Sequence, residues 1–175
     1  TLLNGAELRI RAEQTITRGR AAIIRAYYRR HPHPQVPKEV LDMPEFNVAC
    51  NNIPYTLGRM FSLYEQIQLA AAKANSSNIN ATIKDRYFNA ASSNPSQVFN
   101  LLGKLSVSHL RVLRRSNPKL AGSLQGQLEE LSIRVGTSYP PHLDPASQGS
   151  FQLGYYYQNQ ARFQKKAPAD STENV

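Results

Sequence analysis

Asn80-Ala81-Thr82-Ile83-Lys84-Asp85-Arg86-Tyr87-Phe88-Asn89-Ala90-Ala91-Ser92 opens on a near capping box and closes on a serine-rich break. Thr82 with Asp85 three residues on marks a helix start: the hydroxyl accepts an early backbone N–H, and the carboxylate lies at the positive helix end. Continued to Ser92, the helix puts Ile83, Tyr87, Ala90 and Ala91 on one side, with Arg86 and Asn89 away from it. Lys84 and Phe88 fall between, a cation one turn before an aromatic ring. Ser92-Ser93-Asn94-Pro95 then stops this helix and starts another. Two readings stand for it: an ordinary core helix, or one that holds aromatic side chains down while offering cations outward.

Downstream, Ser96 to Arg115 reads as a helix with Val98, Leu102, Leu105, Val112 and Leu113 inward and His109 among them. Opposite them Asn100, Lys104, Ser108, Arg111 and Arg115 recur at helical spacing as an acid-free ridge, a set of side chains that commonly bonds phosphate oxygens. The segment Lys104 to Lys119 holds five cations and no acid. Asn117-Pro118 caps and opens a further helix, whose stripe of Leu120, Leu124, Leu128, Leu131 and Val135 runs to Gly136. Glu129 and Glu130, about 100° apart on that helix, form no facing carboxylate pair. Asp144-Pro145 starts the last long helix, where Phe151, Leu153, Tyr155, Tyr156, Tyr157 and Phe163 point to nearly all sides. Such a helix is buried or borders a second protein, and the hydroxyls of Tyr155, Tyr156 and Tyr157 lead us to expect an interface.

Upstream, Tyr55 to Lys73 carries the apolar stripe Leu57, Met60, Phe61, Tyr64, Ile67 and Ala71, with Arg59, Ser62, Gln66 and Lys73 expected on the far side. Gly58 inside it lowers helix propensity by about 1 kcal/mol, which implies close packing at that point. Thr17 is an N-cap for a helix to about Arg30, with Ile23, Ile24, Tyr27 and Tyr28 as its apolar arc. Arg18, Ala22, Arg25 and Arg29 form the opposite stripe, a second acid-free run of guanidinium groups. A short helix is expected over Leu2 to Gln14. The His31 to Pro37 run, alternating with prolines, is a loop. The loop is expected to continue through Met43-Pro44 and Asn51-Asn52-Ile53-Pro54, with one short helical or extended piece near Val48, and its two histidines lack partners for a metal.

The 175 residues suffice for one domain with a real core. The fold class expected is all-α, a single bundle of about five to seven helices over residues 1–166, with a flexible polar tail at 167–175. An apolar share of 41% suits a packed chain, and no apolar run suggests a membrane span. Cys50 stands alone, which excludes a disulfide framework within one chain and points to the cytoplasm. A net charge of +9 favours polyanions as partners. No phosphate-cradling glycine loop, metal-ligand spacing or nucleophile with a visible base is present, so neither an enzyme nor a cofactor is expected. Two classes compete: a helical nucleic-acid-binding subunit, and a scaffold that meets only other proteins.

The opening stretch also resembles the signature of the large-subunit family of type I-C CRISPR Cascade, a crRNA-guided DNA surveillance complex. The likeness is to that family's C-terminal helical part, which some systems make as a separate small subunit. Three further segments agree in order: Arg20-Ala21-Ala22-Ile23-Ile24-Arg25-Ala26-Tyr27, Leu57-Gly58-Arg59-Met60-Phe61, and Gln148-Gly149-Ser150-Phe151-Gln152-Leu153-Gly154-Tyr155-Tyr156-Tyr157-Gln158. The resemblance spans about Leu8 to Arg162. It implies a non-catalytic helical bundle on the inner face of the crRNA-bound filament, touching backbone and large subunits and other copies of itself. It also implies help in holding target and non-target DNA of the R-loop, chiefly the displaced strand, while guide pairing sets sequence. The large subunit reads the PAM through an N-terminal part with no counterpart here, so no PAM reading is expected. Arg20, Arg25, Arg59, Lys84 and Arg86 lie inside the matching segments. Arg18, Arg29, Lys104, Arg111 and Arg115 rest on spacing alone. The proline-histidine loop departs from the shorter connection that the family leads one to expect. Thr1 as first residue fits either a separate product or a fragment.

Overall fold

The computed structural model describes residues 18–34, 36, 38–42 and 50–162. These hold seven helices and no strand: α1 (residues 18–30), α2 (Lys38–Asp42), α3 (Ile53–Ala74), α4 (Ile83–Ser93), α5 (Pro95–Ser116), α6 (Pro118–Val135) and α7 (Pro145–Ala161). The fold is the expected all-α bundle. The helix expected over Leu2 to Gln14, the Thr17 cap, Met43-Pro44, the piece near Val48, Phe163 and the polar tail lie outside the described residues. Among those described, no helix is long and apolar enough to cross a membrane.

Helix starts follow their caps. Asn52 Oδ1 accepts from Tyr55 N at 2.9 Å, Asn117 Oδ1 from Leu120 N at 3.0 Å, and Asp144 Oδ1 from Ala146 N at 2.9 Å. Each cap precedes a proline in the first turn, where the missing N–H has no intrahelical partner to lose. The capping box of α4 is complete: Thr82 Oγ1 accepts from Asp85 N, and Asp85 Oδ2 accepts from Thr82 N at 2.8 Å. Gly136 closes α6 at φ +89°, a left-handed conformation that glycine adopts without strain.

α3 is the axis of the molecule, with its most extensive contact against α7 and further packing against α5, α6 and α4. This enclosure corrects the expected two-faced helix. Arg59 and Ser62, placed on a solvent side by spacing, are buried with Leu57, Met60, Phe61 and Ile67. The approach of α3 to α7 depends on two glycines. A Cβ at Gly58 would lie 1.9 Å from Phe151 O, and one at Gly154 would lie 1.9 Å from Tyr55 O, so only hydrogen fits at either position. Phe61, Phe88, Phe151 and Tyr155 then meet edge to face, with ring centroids 5.0 to 6.0 Å apart.

α1 is rotated from the expected arc. Ala21 is buried and Ile24, Arg25 and Tyr28 are half-buried, while Ile23 is 70% and Tyr27 58% exposed. The rotation follows from Tyr28, whose ring fills the space that a Cβ at Gly149 would need and whose hydroxyl donates to Pro145 O at 3.1 Å.

Candidate nucleic-acid interface

α5 buries Val98, Phe99, Leu102, Leu110 and Leu113. That face turns Asn100, Lys104, Ser108, Arg111 and Arg115 outward, and all five are exposed. From Asn100 to Arg115 the ridge is about 22 Å long at 1.5 Å per residue. Asn100 Nδ2 donates to Ser96 O and Ser108 Oγ to Leu105 O, each at 2.8 Å, so the three cations are its principal outward donors. The acids are occupied elsewhere. Glu129 accepts from Gln125, which itself takes a bond from Arg114, and Glu130 pairs with Arg134 at 2.7 Å. Asp85 and Asp144 cap helices, Asp42 pairs with Arg29, and Glu65 lies in the core. Among the described residues no carboxylate is within ion-pair distance of Lys104, Arg111 or Arg115.

The other predicted cations fare differently. Lys84 Nζ stands 5.0 Å from the Tyr155 ring centre and 5.9 Å from that of Tyr156. Arg20 Cζ is 6.0 Å from the Tyr156 ring centre and Arg25 Cζ 5.7 Å from that of Tyr157. Three neighbouring tyrosines of α7 thus lie under three cations from α1 and α4. Arg25 belongs to the packed side of α1 and not to an outward stripe, which corrects its expected place beside Arg18 and Arg29. Arg59, 5% exposed, gives its Nε–H to Gln158 Oε1 at 3.1 Å and is out of reach of any phosphate, a second correction. Burial pulls its pKa below the usual arginine value, yet it stays a cation at neutral pH. Arg29 donates to Leu41 O at 3.0 Å and pairs with Asp42 at 3.4 Å, so its stripe is not free of acids in space. Arg18 and Arg86 are exposed.

Tyr155, Tyr156 and Tyr157 are 1%, 6% and 1% exposed, which corrects the expected interface with a second protein. They fill this chain's own core because α7 crosses the axial helix at the paired glycines. Tyr155 Oη donates to Glu65 Oε2 at 2.7 Å. Burial holds the Glu65 carboxyl above the ordinary carboxylate range, against the smaller opposing pulls of that bond and of Lys84. Sequence spacing missed Glu65 because the apolar stripe of α3 looks narrow while its surroundings are not. His109, half-buried on α5, has its pKa lowered by burial. Among the described residues no three His, Cys, Asp or Glu side chains gather as metal ligands would.

No curated protein matches the chain. The family model described as CRISPR-associated protein (Cas_Csd1) matches residues 1–163, a span that takes in all seven helices and both glycines of the central crossing. The chain therefore belongs to the Cas_Csd1 family of CRISPR-associated proteins.

Proposed function

We propose that this chain is a non-catalytic small subunit of a crRNA-guided surveillance complex of the type I-C Cascade kind. Its role there is to brace the assembly and to hold DNA strands of the R-loop, mainly the displaced one. Family membership supports the coarse setting, a part in CRISPR defence beside other CRISPR components. The finer reading is carried by one observation: Lys104, Arg111 and Arg115 stand exposed along one helix, while every acid with a described side chain is engaged elsewhere. A passive ridge of this kind takes phosphates by charge and leaves sequence to guide pairing. The implied partners are backbone and large subunits, the crRNA-bound filament, target and non-target DNA, and further copies of the chain.

A pure scaffold role is the second reading, favoured by the exposed Ile23 and Tyr27 on α1. Exchange of Lys104, Arg111 and Arg115 for glutamate separates the two. The triple variant is expected to fold and assemble, yet to lose R-loop formation and to elute from heparin at lower salt. Complete assembly with unchanged R-loop formation would remove α5 from DNA contact and leave the scaffold.

A further inference from the structure

Where α3 ends, the chain turns back over it. Asn75 N–H bonds Ala71 O at 3.1 Å, Ser76 takes a left-handed φ of 51°, and Ser77 N–H bonds Ala72 O at 2.9 Å. The far end of the connection is fixed to the same helix, because Gln68 Oε1 accepts from Ile83 N at 2.8 Å. Between this fastened connection, α4 and the C-terminal part of α5 lies an open cleft of about 400 Å³. Its exposed lining is Asn75, Ser77, Asn78, Asn80 and Arg86; its half-buried lining includes Ala72, Ala81, Val112 and His109. No acid lines it.

That combination suits one class of ligand. Without a carboxylate the cleft attracts neither metal ions nor amines. It is far roomier than a bare phosphate requires, and its methyl groups offer a flat ring an apolar bed. Side-chain amides present donors and acceptors together, as the edge of a nucleobase does. His109, kept neutral by burial, adds one of each, and Arg86 supplies a cation or a stacking plane at the mouth. Position completes the match: Ser108 and Arg111 of the ridge adjoin His109 and Val112 of the cleft along α5.

We propose that this cleft receives one unpaired base from a DNA single strand whose backbone follows Lys104, Arg111 and Arg115. The proposal rests on the reading of α5 above, and the test separates the two. Neither the Asn78 nor the Asn80 side chain makes a hydrogen bond among the described residues, so Asn78→Ala with Asn80→Ala spares the fold. Binding of the full chain to oligodeoxyadenylate and to an abasic strand of equal length is measured across a salt series. The abasic strand is expected to bind about tenfold more weakly than the adenylate. The double variant should lose about tenfold on the adenylate, nothing on the abasic strand, and keep the parent's salt slope. Equal affinity for both strands, or an equal loss on both in the variant, overturns the base site while leaving the ridge intact. Failure of the parent to bind either strand overturns both.

Discussion

Replacing Gly154 by alanine places a methyl group 1.9 Å from the Tyr55 carbonyl oxygen, where an ordinary contact begins near 3.4 Å. The crossing of α3 and α7 must therefore open by about 1.5 Å, since the obstacle is backbone and cannot swing aside. A gap of even 0.5–1 Å forfeits about a quarter to a half of a dispersion contact, and Leu57, Phe61, Phe151 and Tyr155 all pack at this crossing. We place the loss at the upper end of overpacking penalties, about 3 kcal/mol. Helix propensity works the other way, alanine being favoured over glycine by about 1 kcal/mol. The clash wins by about 2 kcal/mol, a fall in Tm of about 4–8 °C for a chain of this size. Gly126 on α6 supplies the control, because a Cβ there meets nothing within 4 Å. Gly126→Ala should raise Tm by about 1–4 °C through propensity and a less disordered unfolded chain. Thermal and urea melts followed by circular dichroism read both. A Gly154→Ala protein that melts at or above the parent, or two variants shifting alike, would refute the reasoning.

Two electrostatic predictions accompany it. Glu65 has a raised folded pKa, so its ionisation penalises the folded state; stability falls as pH rises from about 4.5 through the folded value. Glu65→Gln keeps an acceptor for Tyr155 and should flatten that fall in urea titrations at several pH values, leaving the variant at least as stable near pH 7. A loss there above about 1 kcal/mol would mean that the Tyr155 bond and Lys84 outweigh burial. Asp85 has the opposite sign, its pKa depressed by bonds from the Thr82 backbone and hydroxyl. Its contribution is present above about 3.8 and lost as pH falls through the lower folded value. Thr82→Ala should cost about 1 kcal/mol at pH 7. The coupling to Asp85→Ala in a double-mutant cycle should vanish in acid; coupling that persists there would deny the carboxylate its part.

Helix limits were legible because their signals are local. Asn117 and Asp144 cap helices from three residues away or fewer, and Thr82 with Asp85 closes a box within one turn. The loop expected before Tyr55 is shorter in the structure: it holds α2, and α3 already starts at Ile53 on the Asn52 cap, because the run of prolines and asparagines reads as irregular until Pro54 is seen in a first turn. The ridge of α5 was legible for the same reason, since helical spacing alone puts Lys104, Arg111 and Arg115 on one line. What spacing could not show was how many neighbours surround an element. Arg59 looks outward on a wheel, yet its partner Gln158 is 99 residues on, and α7 covers that side. Arg29 belongs to an acid-free stripe in sequence until α2 brings Asp42 to it from 13 residues away. The cleft had the faintest sequence signal, an Asn-Ser-Ser-Asn run that reads only as a helix end until α5 stands beside it.

The four segments that carry the family likeness converge in space, and this changes what the likeness can say. Gly58 admits the Phe151 carbonyl, Arg59 holds Gln158, Lys84 covers Tyr155, Arg20 covers Tyr156 and Arg25 covers Tyr157. Lys84, Arg20 and Arg25 act as lids on aromatic side chains, contributing about 0.5–1 kcal/mol each where water still reaches them. A signature built this way reports how α1, α3, α4 and α7 pack, and a chain that kept it would keep the bundle whatever its surface bound. The proposed contact with a strand rests instead on α5, where Lys104, Arg111 and Arg115 have no acid within ion-pair distance among the described residues. The two properties are physically separable, because a charge on α5 can be reversed without moving a ring in the core. Arg86 is the exception inside the matching segments. It alone of those five cations has neither a ring beneath it nor an acceptor beside it among the described residues, and it stands at the mouth of the cleft.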